Sequence, residues 1–246
     1  LLLENLAFTE VEAYLKKKDI VLVPIGSVEQ HSPYGLIGTD FIAAEAVACR
    51  AAEKLDILVA PTVCYGISDH HMAFKGTLTL RPETMIHMVT DLVRSLVTHG
   101  FLRIIFVNGH GGNIHTLGAA FRQLKSDGIS GYFDLISWYD AGSVKKLCTE
   151  LFGESEGHHA TPSEVSITKA LRPEMFAGKS NRIKTLAKKK YYWPLSAGEM
   201  KKVFPDGRME SAPWLASEDA GKKILDCAVD ELKKRLDQIM QYEIIS

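Results

Sequence analysis

Four cysteines in 246 residues, Cys49, Cys64, Cys148 and Cys227, are too few and too far apart for a disulfide framework or a Cys-x-x-Cys metal or redox pair. They read as mostly buried, reduced thiols. Neither charge is in excess: 29 Lys and Arg stand against 30 Asp and Glu, so no long-range field gathers nucleic acid or an anionic membrane. A small-molecule partner suits that balance. No stretch approaches the roughly 20 apolar residues that span a bilayer. The opening LLLENLAFTE has neither a basic segment nor a long apolar one, and a cytoplasmic protein is expected. Internal repeats and low-complexity tracts are also lacking. With 46% hydrophobic and 24% charged residues, the composition excludes disordered and fibrous classes and predicts one globular domain over 1–246.

What is present is alternation. Apolar runs at 20–26, 57–65, 101–107 and 132–138 are rich in Val, Ile and Phe without period-two patterning, as strands covered on both faces are. Between and after them lie helical patterns at 40–54, 82–98 (Pro82 at its first position), about 113–125 and about 217–241. TEVE at 9–12 has the form of a capping box and predicts a short helix before the first strand. Strands alternating with helices predict an α/β fold, a three-layer α/β/α sandwich around a mainly parallel sheet. The least regular region is 172–215, where KKKYYW mixes lysines and aromatics; in a neutral chain it reads as a surface loop or subunit contact.

Chemistry-bearing residues cluster where the predicted strands end, the edge at which parallel sheets collect ligands. IVLVPIGSVEQHSPYGLIGTD runs from apolar residues into Glu29, His31 and Asp40. Glu29 and His31 are two apart, on one side of an extended segment, and Asp40 sits where a helix begins. FLRIIFV is followed by NGHGGN, which puts His110 in a glycine-rich turn. EGHHATPSEVS brings His159 and Glu164 to the start of another helix. Glu29, His31, Asp40, His110 and Glu164 form a mixed nitrogen and oxygen set that suits Zn, Mn or Fe, and a carboxylate can bridge two ions about 3.5–4 Å apart. Each also has a plain structural role. Glu29 suits a surface carboxylate, His31 and His110 hydrogen-bonded loop histidines, and Asp40 a helix cap. Glu164 completes a capping box with Thr161 and Pro162. NGHGGN is neither a dinucleotide fingerprint nor a Walker loop. Its glycines, Gly112 among them, let the backbone approach a metal or substrate, with N–H groups at the following helix start. No Ser or Cys stands in a nucleophile elbow, and Cys64 reads as part of a core strand.

These motifs, with HMAFKGTLTL at 71–80 and FPDG and LASEDAGKKIL farther on, resemble the creatininase (creatinine amidohydrolase) superfamily from about residue 20 to 225. The resemblance implies an α/β/α sandwich, two divalent ions (Zn first, Mn or Fe as alternatives), hydrolysis of non-peptide C–N amide bonds, and a homohexamer. It implies that Glu29, His31, Asp40, His110 and Glu164 hold the metals, with Asp40 bridging, and that His159 moves protons. It also places His71 beside the pocket, though His70 and His71 both admit a solvated reading. Trp138 is a candidate to stack on a flat substrate, with a core role as the alternative. Creatininases proper have Tyr and Glu where this chain has Gly111 and Gly112, and that Glu is a ligand there. The expected activity is therefore hydrolysis of a cyclic amide or formamide. Creatinine hydrolysis, small-peptide hydrolysis and a non-catalytic metal-binding assembly subunit are the alternatives.

Overall fold

The computed structural model describes residues 1–180 and 189–245. Four strands form one sheet in the order β2-β1-β3-β4, all parallel: β1 (Ile20–Ile25), β2 (Leu58–Val59), β3 (Arg103–Asn108) and β4 (Tyr132–Ser137). The register aligns Ile25 with Asn108 and Asn108 with Ser137, so β1, β3 and β4 end at one level.

Every residue of β1 is buried, as its unbroken apolar run requires, and its side chains divide between two cores. Ile20 and Leu22 pack with α2 (Thr39–Leu55), α5 (Gly142–Phe152), α6 (Pro162–Leu171) and α8 (Glu218–Ile239). Val21, Val23 and Ile25 pack with α1 (Phe8–Leu15), α3 (Pro82–Thr98) and α4 (Asn113–Ser126). This is the expected α/β/α sandwich. A smaller cluster of Leu195, Met200, Phe204 and Met209 gathers around α7 (Ala197–Val203) and takes Phe74 from the loop after β2.

Three expectations need correction. The run at 57–65 yields only Leu58–Val59, because Pro61 lacks an N–H for the ladder. The chain then follows the end of β1 through Val63, whose N–H donates to Pro24 O at 2.9 Å. Cys64 is consequently half-buried in a loop, as Cys49 and Cys227 are half-buried, and Cys148 alone is buried. At the N-terminus Thr9 lies inside α1; Glu10 caps by accepting the Ala7 N–H at 2.8 Å. No helix among the described residues is long and apolar enough to cross a membrane. Of the 172–215 region, residues 181–188, including Lys188 of KKKYYW, lie outside the described residues.

Topology fixes where a crevice can open. β1 connects outward through α2 to β2, whereas β3 connects the other way through α4 to β4, so the chain diverges between β1 and β3. Loops leaving neighbouring strands in opposite directions cannot close over the gap between them.

Candidate metal centre

The loops after β1 and β3 and the first turns of α2 and α6 meet over that gap. They line a crevice of about 930 Å³ containing Glu29, Asp40, His110, His159 and Glu164. Two glycines let the parts approach. A Cβ on Gly109 would lie 2.1 Å from the Asp40 carbonyl oxygen, and one on Gly112 2.2 Å from that of Ile67. The asparagines of NGHGGN staple the loops together. Asn113 donates to Gly26 O at 3.0 Å and accepts from Ile67 N, while Asn108 donates to His110 O and accepts its N–H.

Three histidines are committed from behind. His31 Nδ1–H donates to Glu29 O at 3.1 Å, His110 Nε2–H to Ile67 O at 2.7 Å, and His159 Nε2–H to Gln30 O at 2.7 Å. A carbonyl only accepts, so the other nitrogen of each neutral ring presents a lone pair to the crevice. Those lone pairs face carboxylates. His31 Nε2 lies 3.0 Å from Asp40 Oδ1 and 4.0 Å from Glu164 Oε2. His110 Nδ1 lies 3.1 Å from Asp40 Oδ2 and 3.3 Å from Glu29 Oε1, and His159 Nδ1 lies 3.5 Å from Glu29 Oε1.

Acceptor facing acceptor requires a positive charge between. Protons are one answer. Asp40 and Glu29 are held below the usual carboxylate range: burial opposes this, and the nearby histidine charges outweigh it. Against the same penalty of burial, Asp40 draws His31 up to about 9, and Glu29 and Asp40 raise His110 well above the usual imidazole value. Yet among the described residues His31 Nε2 and Asp40 Oδ2 are buried with no aligned hydrogen-bond partner. Divalent cations are another, and the donor set fits them. Ligand atoms about 2.0–2.2 Å from a Zn ion lie roughly 3.0–3.5 Å from one another, the spacing found here. Glu29, Asp40 and His110 form one such group, His31, Asp40 and Glu164 a second, and Glu29, His31 and His159 a third. Asp40 turns one oxygen to each of two histidines.

The family now follows from the whole chain. A family model for creatininase, described as creatinine amidohydrolase, matches residues 4–236. The chain belongs to the creatininase family. It is 30% identical over 188 residues to the creatinine amidohydrolase of Pseudomonas putida, covering 70% of this chain and 72% of that protein. It is 32% identical over 164 residues to the mycofactocin precursor peptide peptidase of Mycobacterium ulcerans, covering 63% and 59%. The chain spans about half the length of the mycofactocin peptidases it matches. A solved creatininase superposes with a TM-score of 0.83 at 25% identity over 98% of both chains. Solved creatininases carry Zn or Mn.

The other singled-out residues of this creatininase-family chain fall differently. Glu164 keeps its capping role, accepting the Thr161 N–H at 2.9 Å, while the same oxygen faces His31. Burial lifts its pKa to about 7 against the pull of His31. His71 is not solvated: it is 1% exposed, stacks on His159 with centroids 4.2 Å apart, and has Nε2 3.8 Å from Glu29 Oε1. His70 is half-buried beside it rather than free in water. Gly112 lines the crevice at the start of α4. Trp138 does not line it. It packs into the core under α2 and α8 and borders a separate cavity of about 410 Å³ with Asp134 and Arg235; its neighbour Tyr139 takes the crevice side.

Two supporting residues escaped the sequence. Ser68 Oγ–H donates to Glu29 Oε2 at 2.5 Å. Gln30 accepts from Ser32 N at 2.9 Å with Oε1, which turns Nε2 to donate to Gly207 O at 2.9 Å and His71 Nδ1 at 3.0 Å. Period-two reasoning turned Gln30 away from Glu29 and His31, but the chain bends at Ser32, where φ is 63°.

Proposed function

We propose that this protein, acting as one catalytic domain, is a metal-dependent amidohydrolase that cleaves a non-peptide C–N amide bond of the cyclic amide or formamide type. Glu29, His31, Asp40, His110 and Glu164 would hold two divalent ions, Zn first and Mn or Fe as alternatives. The observation that carries this reading is the set of rear-anchored imidazoles presenting lone pairs to carboxylates at 3.0–4.0 Å in a buried crevice. Family membership supports it, and the Pseudomonas putida relative is named for an amide hydrolysis.

Bound divalent cations supply Lewis acidity and bring the pKa of water near neutrality. The chain's own residues do the rest. Ser68 holds one oxygen of Glu29 and leaves the other, Oε1, among His110, His159 and His71. In the metal-free protein burial and the nearby charge of His31 push the pKa of His159 down to about 3, so its ring is neutral at rest. With Nε2 anchored on Gln30 O, its free Nδ1 accepts a proton from the attacking water and returns it to the departing nitrogen. Glycines at 111 and 112 leave this wall without a side-chain ligand, and Glu164 supplies the third carboxylate from the α6 side.

The enzyme is proposed to work on a small molecule in a homo-oligomer, a hexamer by resemblance. A phosphoesterase would need free cations in the crevice; Lys145, which lines it, is paired with Asp140 at 2.8 Å. The test combines metal analysis with a screen of formamides, cyclic ureides and short peptides after loading with Zn, Mn or Fe. Stoichiometric metal with turnover of one amide class is expected. Tight metal with no hydrolysis of any of them would leave an assembly subunit instead.

A further inference from the structure

The KKKYYW segment has no part in the metal centre, yet its described residues form one wall of the same crevice. Trp193 is 57% exposed and lines the mouth together with Tyr191, Pro194 and Leu195. It is not at the tip of a loose loop. On one side Tyr191 packs edge-on against Phe204 with ring centroids 5.2 Å apart, and Lys189 N–H donates to Glu210 Oε1 at 2.8 Å. On the other side Leu195 is buried in the satellite cluster with Met200, Phe204 and Met209. That cluster also holds Phe74 from the loop bearing His70 and His71, and Met209 bridges to His159.

The indole is thus tied to the same frame as the histidines. Its ring meets His70 edge-on at 5.0 Å, His70 meets His71 at 4.1 Å, and His71 stacks on His159 at 4.2 Å. The rings run from the mouth of the crevice to the carboxylate of Glu29, 3.8 Å from His71. A large aromatic face left open to water beside a reactive centre offers a planar group somewhere to stack. The ring-to-ring distances set an upper limit on the gap between the indole and the Glu29 carboxylate. An extended chain at roughly 3.3–3.6 Å per residue covers the gap in no more than about three residues.

We infer that Trp193 is a specificity-determining residue, and that the amide substrate carries an aromatic ring up to about three residues' length from the bond cleaved. This rests on the metal-dependent reading above, and the two fail separately. The test is calorimetric binding to the Zn-loaded protein of acetohydroxamic acid, a metal chelator, and of hydroxamic acids bearing a phenyl ring after none, one, two or three glycyl spacers. Each phenyl compound is paired with an alkyl twin. The best-spaced phenyl compound should bind about tenfold tighter than its twin, as stacking plus ring burial provides. Trp193→Ala should abolish that advantage and leave acetohydroxamate affinity unchanged, and Trp193→Phe should keep most of it. An advantage that is absent, or that survives in Trp193→Ala, overturns the inference while sparing the metal reading. Failure of acetohydroxamate to bind overturns both. A Trp193→Ala protein that changes its oligomeric state with no loss of phenyl selectivity assigns the indole to a subunit contact instead.

Discussion

The ends of β1 and β3 and the end of β4 look alike in sequence: PIGSVEQH, VNGHGGN and ISWYD each pass from an apolar run to chemistry-bearing residues. In the structure they share one level of the sheet, yet they do opposite things. Glu29 and His110 turn into the crevice and His31 packs against Asp40 beside them, whereas Trp138 turns into the core. The difference is connectivity. β1 and β3 flank the point where the chain diverges; β4 lies beyond it, at the sheet edge, where α8 covers the strand and claims the first aromatic for packing. A residue's chemistry at a strand end becomes a site only where the loops leave a gap to fill.

The largest effect should come from breaking the shared carboxylate. Asp40→Ala is expected to abolish both metal binding and hydrolysis, and to cost about 3–5 kcal/mol in the metal-free protein, because His31 and His110 lose their buried counter-charge. Metal content by mass spectrometry and chemical denaturation read the two parts. An Asp40→Ala protein that still binds two ions would move the centre away from the β1–β3 gap.

Next in size is His159→Ala, expected to keep its metal and to lose about 10²–10⁴ in kcat, the usual worth of a positioned acid–base group. Its ring also belongs to one of the three ligand groupings, so the outcome discriminates. Loss of one metal equivalent together with the turnover would make His159 a ligand and remove it as the proton carrier.

A third test acts through backbone alone. Gly109→Ala forces a Cβ onto the Asp40 carbonyl, and α2 or the β3 loop must shift. We expect about 1–3 kcal/mol of destabilisation with weakened metal affinity. Gly118, mid-helix in α4, has nothing within 4 Å of where an alanine methyl would sit, so Gly118→Ala should stabilise by about 0.5–1 kcal/mol and leave the metals alone. Equal effects of the two would deny that the close approach of α2 to β3 builds the site.

Much of this was legible beforehand because it is local or periodic. Fully buried strands write unbroken apolar runs, helices write their 3.6 spacing, and β1, α3 and α8 fall within two residues of the expected bounds. That Glu29, His31, Asp40, His110 and Glu164 would lie together was legible because the strand ends restrict their place. What escaped depends on tertiary contacts. Gln30 and Ser68 have no distinctive residue chemistry, and their roles arise only when Ser32 bends the chain and the loop after β2 swings beneath Glu29. The truncation of β2 was signalled by Pro61, which the apolar pattern around it concealed.

The pH dependence of stability sharpens the contrast between proton-filled and cation-filled states. In metal-stripped protein Glu29 and Asp40 are depressed despite burial, so their contribution is present above about pH 4 and is lost as pH falls through their folded values. His31, raised to about 9, and His110, raised well above the usual imidazole value, contribute fully below about pH 6.5; that stability is lost as pH rises through the folded values. Thermal melts of stripped protein should therefore peak between about pH 4.5 and 6.5 and decline towards pH 9. Loaded protein should hold its Tm across that alkaline limb. Parallel curves for the two forms would show that cations do not replace protons between these groups.

The smallest effect tests the far side of the comparison. Among the described residues the buried Trp138 Nε1 has no hydrogen-bond partner, so replacing the indole forfeits no hydrogen bond to them and changes only packing. Trp138→Phe should cost about 1 kcal/mol through the volume it leaves, with metal content, kcat and KM unchanged. Tyr139→Phe, one residue on, removes the hydroxyl from a ring that lines the crevice, and it should alter KM. If Trp138→Phe moves KM and Tyr139→Phe does not, the end of β4 faces the substrate through the wrong one of its two aromatics, and the division drawn between the strand ends falls with it.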